Sequence, residues 1–134
     1  MIHLDTSFLV DLLREAARGE EGRASHFLTR FRDEELGMSV FVAYELAAGA
    51  AMSRKPTEER RRVEQLCTGI RIDYPDDRFP AAYGSLLSSL ERSKGRISTM
   101  DSLIAVSALL ASAPLITRNA KDFERVPDLD VVTY

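Results

Sequence analysis

Four places in this chain put an acid, or an amide beside one, where the surrounding apolar pattern gives little reason for it. Asp5 ends the apolar run Ile2–Leu4 and is followed by Thr6 and Ser7. Glu45 is the only charged residue between Met38 and Met52. Asp101 opens Asp-Ser-Leu-Ile-Ala-Val-Ser-Ala-Leu-Leu, a segment otherwise free of charge. Near the end, Leu115-Ile-Thr-Arg-Asn119 is followed by Ala-Lys-Asp122-Phe. Acids from separate segments that meet at one site repel one another unless a cation neutralises them. Mg²⁺ and Mn²⁺ prefer such oxygen ligands. Histidine ligands are absent from the pattern, because His3 and His26 have no metal-pair spacing, which argues against zinc. An all-oxygen Mg²⁺ site suits phosphoryl chemistry.

Each position also has a structural explanation. Asp5 could cap a helix. Glu45 shares a helix face with Phe41, Val42, Ala48 and Gly49, so it is expected in a close-packed apolar setting. An unpartnered carboxylate there costs roughly several kcal/mol, so it needs a cation, strong donors, an arginine or a place at the rim. Asp101 completes the capping-box form Ser98-Thr-Met-Asp101, yet it shares a face with Ile104, Ala105 and Ala108. Asn119 and Asp122 also have capping spacing.

The elements that must position these groups alternate between strand and helix. Met1–Leu4 reads as a buried strand, and Thr6 or Ser7 can cap a helix to about Arg14. Glu20–Arg32 reads as a second helix with an apolar stripe of His26, Phe27, Leu28 and Phe31. Leu36–Met38 is a short strand, and Ser39 caps a long apolar helix to about Met52. Pro56–Thr57 opens a helix to about Thr68, and Arg71–Tyr74 is a strand. Asp77 to about Ser93 is helical, followed by a Lys94–Gly95–Arg96 turn and an apolar helix from Thr99 to about Ser112. Pro114–Thr117 is a strand, Asn119–Phe123 a helical turn and Val131–Tyr134 a last strand. The pattern predicts a single α/β domain over 1–134, a sandwich with a mostly parallel central sheet flanked by helices. Ligands of such sheets sit outside the carboxyl ends of the strands, where Asp5 and Thr117 fall.

Composition bounds the rest. With 134 residues, 45% hydrophobic and 29% charged, the chain is long enough for one real core. A lone cysteine, Cys67, excludes an intrachain disulfide and a multi-cysteine zinc site. Beside Leu66 and Ile70 it reads as a small hydrophobe. No apolar run approaches the roughly 18 to 20 residues of a membrane span, and no basic leader precedes Asp5, so a cytoplasmic protein is expected. The net charge of -3 neither supports nor excludes a nucleic-acid partner, because basic residues still cluster at 54–55, 60–62, 92–96 and 118–125.

Taken together, Ile2-His-Leu-Asp5-Thr-Ser-Phe-Leu-Val, Tyr44-Glu45-Leu, Asp101-Ser-Leu-Ile-Ala and Leu115-Ile-Thr-Arg-Asn119-Ala-Lys-Asp122-Phe resemble the PIN-domain nucleases, and among them the VapC-type toxins. No single piece is specific, but their order and spacing fit over essentially the whole chain. The resemblance implies a PIN-like fold and a Mg²⁺-dependent endoribonuclease, with Mn²⁺ an alternative ion. Asp5, Glu45 and Asp101 would be the metal-holding triad, and Glu45 could help to orient water. The usual fourth acid is replaced by Asn119, with Asp122 one turn on, so the fourth residue and the number of metals stay open. Ser7 and Thr117 are further candidates for contacting water or phosphate, and Arg118, Lys94 and Arg96 for contacting RNA.

The implied reaction is hydrolysis of an RNA phosphodiester, in tRNA or ribosomal RNA, leaving a 3′-hydroxyl and a 5′-phosphate. The implied partners are a VapB-like antitoxin and a second copy of the chain. The segments Phe8–Leu13 and Phe27–Phe31 could offer apolar surface to an antitoxin, or could simply be core. Three other readings compete, the first a phosphotransfer enzyme or receiver domain on a similar α/β sheet. A phosphatase of the haloacid dehalogenase type would need Asp-x-Asp where this chain has Asp5-Thr-Ser7, and a receiver domain needs an acidic pair that is missing. The remaining rivals are a non-catalytic interaction module and a PIN nuclease of RNA processing without an antitoxin.

Overall fold

The run Ile2–Leu4 forms strand β1, buried along its whole length, and Asp5 carries the chain directly into helix α1, Thr6–Arg18. The structure is a computed structural model that describes all residues from Met1 to Tyr134. Thr6 and Ser7 do not cap α1, as the sequence suggests. Asp5 occupies the cap position with extended backbone, and its side chain makes no capping bond. The helix also outruns its expected end near Arg14, because Glu15, Ala16 and Ala17 are good helix formers. Gly19 stops it by taking the left-handed conformation at φ 67°.

The expected helix over Glu20–Arg32 is shorter, with α2 at Arg23–Leu28 and a 3-10 turn at Thr29–Phe31. Its start is set from another helix. The buried carboxylate of Glu15 accepts the N–H groups of Gly22 at 2.6 Å, Ala24 at 3.0 Å and Ser25 at 3.0 Å. These are donors that a first turn cannot satisfy internally. A Cβ at Gly22 would stand 2.6 Å from Glu15 Cδ, so the approach requires glycine. Phe27, Leu28 and Phe31 pack against the core as expected, but His26 is exposed.

The remaining elements follow the predicted order: β2 Leu36–Ser39, α3 Val40–Ala51, α4 Pro56–Cys67, β3 Arg71–Asp73, α5 Phe79–Arg92, α6 Thr99–Leu110, β4 Leu115–Ile116, α7 Ala120–Phe123 and β5 Val131–Val132. Ser39 caps α3 by accepting the Val42 N–H. The five strands lie in the order β3-β2-β1-β4-β5, and every neighbouring pair is parallel. The chain steps outward from β1 to β3 and then returns to the other side of β1. The order therefore reverses between β1 and β4, which opens a crevice at their carboxyl ends. Register pairs Leu4 with Ile116, so Asp5 and Thr117 follow side by side.

Leu4, Phe8, Leu9, Met38, Val42, Ile104, Leu115, Ile116 and Phe123 fill the core between sheet and helices. Cys67 is half-buried, and burial pushes its thiol up, in keeping with a small hydrophobe. No helix is long and apolar enough to cross a membrane.

Burial pushes the Glu15 carboxyl up, but hydrogen bonds from Ser25, Gly22 and Ala24 outweigh it and hold the group below the ordinary glutamate range. Glu15→Gln is expected to cost about 1–3 kcal/mol at neutral pH, since it leaves buried donors poorly matched. The wild-type advantage is full above the ordinary value of about 4.3 and is lost as pH falls through the lower folded-state value. Urea unfolding of both proteins between neutral and strongly acidic pH measures it; a gap that stays open in acid contradicts the capping role.

Candidate active site

Asp5 is only 4% exposed, and it is held by hydroxyls rather than by a cation. Its Oδ2 accepts from Thr117 Oγ1 at 2.7 Å and from Ser7 Oγ at 3.0 Å. The two hydroxyl oxygens, 3.2 Å apart, each also accept a backbone N–H from the loop after β4. Arg118 N donates to Ser7 Oγ at 3.0 Å, and Asn119 N to Thr117 Oγ1 at 2.9 Å. With those lone pairs occupied, the hydroxyl protons are free to point at Asp5.

Helix α3 packs against both α1 and α6, which carries Glu45 to the rim of the same crevice. Thr6 Oγ1 donates to Glu45 Oε1 at 2.6 Å. The expected close-packed face around Glu45 is a half-buried rim instead, with Ala48 and Gly49 exposed. Neighbouring helices cover the Val42–Leu46 side of α3 and leave the other side open.

At the start of α6, Ser98 Oγ accepts the Asp101 N–H at 3.1 Å, so the capping half of the sequence motif is real. The Asp101 carboxyl is half-buried and pushed up to about 6. Burial is the main cause, followed by the charge of Asp5; Glu45 and Asp122 add to it, while a Ser98 hydrogen bond opposes it. The four acids therefore share one electrostatic field. Asn119 Nδ2 donates to Asp122 Oδ2 at 3.1 Å, and Asn119 makes no side-chain cap on α7.

None of Asp5, Glu45, Asp101 and Asp122 is in an ion pair with lysine or arginine. No protein donor reaches Asp5 Oδ1 or Glu45 Oε2, and neither atom is sealed from solvent. The acids are coupled but not drawn into a ready-made cation cage. The donor set, all oxygen and short of positive charge, fits a hard divalent cation.

Other candidates fall elsewhere. Arg118 Nη1 donates to Asp11 Oδ1 at 2.7 Å, so its side chain lies along α1. Tyr134 Oη donates to the same carboxylate, and its phenol is pushed up, by burial first and by Asp11 next. Ser7, Asp11 and Glu15 thus form a polar stripe along α1, opposite Phe8, Leu9 and Leu12 in the core. Lys94 and Arg96 are exposed on the turn between α5 and α6, outside the carboxylate–hydroxyl network. Phe8–Leu13 is mainly core, and Phe27 and Phe31 are partly buried against it. His3 is fully buried; burial keeps its pKa low, and its Nε2 lies 2.6 Å from Asp73 Oδ2, away from the acids. Sequence reasoning missed Thr6 as the partner of Glu45, and Asp11. Thr6 differs little from a helix cap in sequence, and Asp11 reads as one solvated charge.

The family model of the PIN domain matches residues 2–129. The chain belongs to the PIN-domain family. Among relatives of this PIN domain, Ribonuclease VapC1 of Haemophilus influenzae (strain R2866) is 31% identical over 126 residues, covering 94% of this chain and 92% of the relative. Ribonuclease VapC2 of Rickettsia felis is 29% identical over 98 residues, 73% of each chain. Among solved structures, VapBC2 from Rickettsia felis, bound to a DNA fragment from its promoter, has a chain that superposes with a TM-score of 0.90 at 25% identity. That match covers 100% of this chain and 99% of the other. VapBC-1 from nontypeable Haemophilus influenzae gives 0.78 at 28% identity, covering 99% and 98%. The wholly parallel sheet flanked by helices is thus the PIN architecture that the residues predict.

The raised Asp101 value makes a prediction for the metal-free PIN domain. An aspartate that ionises near 3.8 when unfolded but at about 6 when folded opposes folding once it is charged. The penalty is absent below the unfolded value, grows between the two and is constant above about 6. Asp101→Asn should therefore be more stable than wild type at pH 7 by on the order of 1–2 kcal/mol, discounted for solvent screening. The difference should vanish in acid. Urea unfolding in EDTA tests this, and equal stabilities at pH 7 would show that the acids do not share a field.

Proposed function

We propose that this chain is an endoribonuclease that hydrolyses RNA phosphodiester bonds with Mg²⁺ or Mn²⁺, and that it serves as the toxin of a toxin–antitoxin pair. One observation carries the reading: near the switch point of the sheet Asp101 lies in the field of Asp5, Glu45 and Asp122, and none of the four has a basic counter-ion. Such a cluster is a poor device for stability and a good one for holding a divalent cation against phosphate.

In this reading Asp5, Glu45 and Asp101 hold the ion, and Asn119 or Asp122 completes its surroundings. The bound ion supplies Lewis acidity toward the phosphate and lowers the pKa of water. The chain's own groups do the positioning. Ser7 and Thr117 fix Asp5 through Oδ2 and leave Oδ1 for the ion. Thr6 fixes Glu45 through Oε1, leaving Oε2 to orient the attacking water and accept its proton. Attack in line on phosphorus then expels the 3′-oxygen, which takes up a proton from solvent, and gives 3′-hydroxyl and 5′-phosphate ends. The substrate class is tRNA or ribosomal RNA. The relatives named as VapC ribonucleases and the VapBC complexes among the structural neighbours support the ribonuclease and toxin parts of this reading. They also support a VapB-like antitoxin as partner. A homodimer and a cytoplasmic setting belong to the same reading.

Incubation of purified protein with a pool containing tRNA and ribosomal RNA, in Mg²⁺, Mn²⁺ or EDTA, tests the proposal. Cleavage should require the ion, and Asp5→Asn should lower it at least ~100-fold, about 2.7 kcal/mol of barrier, with an unchanged fold by circular dichroism. Absence of both cleavage and cation binding by calorimetry would overturn it.

A further inference from the structure

On the segments that lead to Asp101 and away from Asp122 lies a concavity of opposite sign. Ser93, Lys94, Gly95, Arg96 and Arg125 line a hollow of about 530 Å³ in which no acid takes part. Lys94, Arg96 and Arg125 are all exposed, and none of them is in an ion pair. The neighbouring acids in sequence, Glu91 and Glu124, do not line it. Arg14, Arg60, Arg62, Arg71, Arg78 and Arg118, by contrast, are each matched to a carboxylate.

The hollow is built rather than accidental. Helix α5 ends with Lys94 in the left-handed region at φ 56°, and Gly95 N–H returns to Leu90 O at 2.9 Å. Arg125, from the segment after α7, crosses to this turn and donates from Nη1 to Arg96 O at 2.5 Å. A Cβ at Gly95 would crowd Ser93 Oγ at 3.3 Å and meet Arg125 Cδ in ordinary contact at 3.7 Å, so the arginine stem packs directly against this turn. One guanidinium edge is thereby fixed, and the remaining N–H groups stay available for an anion.

Its place along the chain ties it to the acids. Arg96 stands two residues before Ser98, which caps the helix of Asp101. Arg125 stands one turn beyond Asp122, and its N–H bonds Asp122 O at 3.3 Å. The same two backbone segments thus carry acids at the crevice and cations just outside it.

We propose that this hollow is a phosphate-backbone subsite. It would grip single-stranded RNA on one flank of the scissile bond through Lys94, Arg96 and Arg125 while the acids act at the bond itself. The inference rests on the ribonuclease reading and deepens it, with Arg125 as the new member. Exposed cations that lack carboxylate partners, one of them held in place, match a polyanion whose charges repeat along a strand, and such contacts are read out as salt dependence.

The test is binding of a fluorescein-labelled single-stranded RNA 12-mer in EDTA, followed by anisotropy across a salt series. The proteins compared are wild type, Arg125→Gln, the triple variant Lys94→Gln/Arg96→Gln/Arg125→Gln, and Arg61→Gln on α4 as a surface-charge control. The triple variant should lose affinity at least about tenfold and reduce the log–log salt slope by about 2, roughly 0.7 for each lost contact. Arg125→Gln should give part of that loss, Arg125→Lys should restore some of it, and Arg61→Gln should behave as wild type. In Mg²⁺, the triple variant should raise KM by a larger factor than it lowers kcat. Wild-type affinity and slope in a folded triple variant that still cleaves RNA would overturn the subsite and leave the nuclease reading standing. Intact RNA binding together with lost binding of a purified partner protein would overturn it in favour of a protein interface. No RNA binding or cleavage by the wild-type protein would overturn both readings.

Discussion

Carboxylates held close together without positive charge resist being ionised at the same time, and this repulsion governs the upper edge of the sheet. It is visible at Asp101, pushed up to about 6 by burial and by the charges of Asp5, Glu45 and Asp122. A domain of this size has little stability to spare. Groups that repel one another must therefore be fixed by something other than their own attraction. Here that is done by backbone termini and hydroxyls. Asp5 ends β1, Asp101 sits in the first turn of α6, and Glu45 projects from α3 where that helix meets α1 and α6. Thr6, Ser7 and Thr117 then orient individual oxygens.

The all-parallel topology supplies the place. With β1 central and the strand order reversing beside it, the loop after β1 and the loop after β4 diverge and leave a crevice. Thr117, at the end of β4, is fully buried and joins the two loops through Asp5 and the Asn119 N–H. The same loop sends the Arg118 side chain sideways onto Asp11, out of the acidic field. Positive charge is thus kept on the flanks, at Arg118 on one segment and in the Lys94, Arg96 and Arg125 hollow on another.

Much of this was legible in the residues. An acid straight after an apolar strand, and single acids inside apolar helices, marked Asp5, Glu45 and Asp101, and the alternation of elements marked the α/β sandwich. The illegible parts depended on contacts across long stretches of chain. Glu15 looks like an ordinary surface acid of α1, yet it sets where α2 begins, and so the second helix came out shorter than its apolar stripe suggests. Glu45 was expected on a packed face because composition cannot tell which side of an apolar helix its neighbours cover; Ala48 and Gly49 lie on the open side. Arg125 looked like one more basic residue, because its fixation by the Arg96 carbonyl links positions far apart in sequence.

Helix α1 does four jobs from one rigid rod. Thr6 steadies Glu45, Ser7 steadies Asp5, Asp11 holds Arg118 and Tyr134, and Glu15 starts α2. The last three recur every four residues, in phase with the helix turn, while Phe8, Leu9 and Leu12 face the core. Adding or deleting one residue within such a rod rotates everything beyond it by about 100°. Insertion would carry Asp11 and Glu15 off their partners together and swing apolar side chains into water. Substitutions can be absorbed one contact at a time, whereas a change of length cannot, so the spacing from Asp5 to Glu15 is a fixed measure within the molecule.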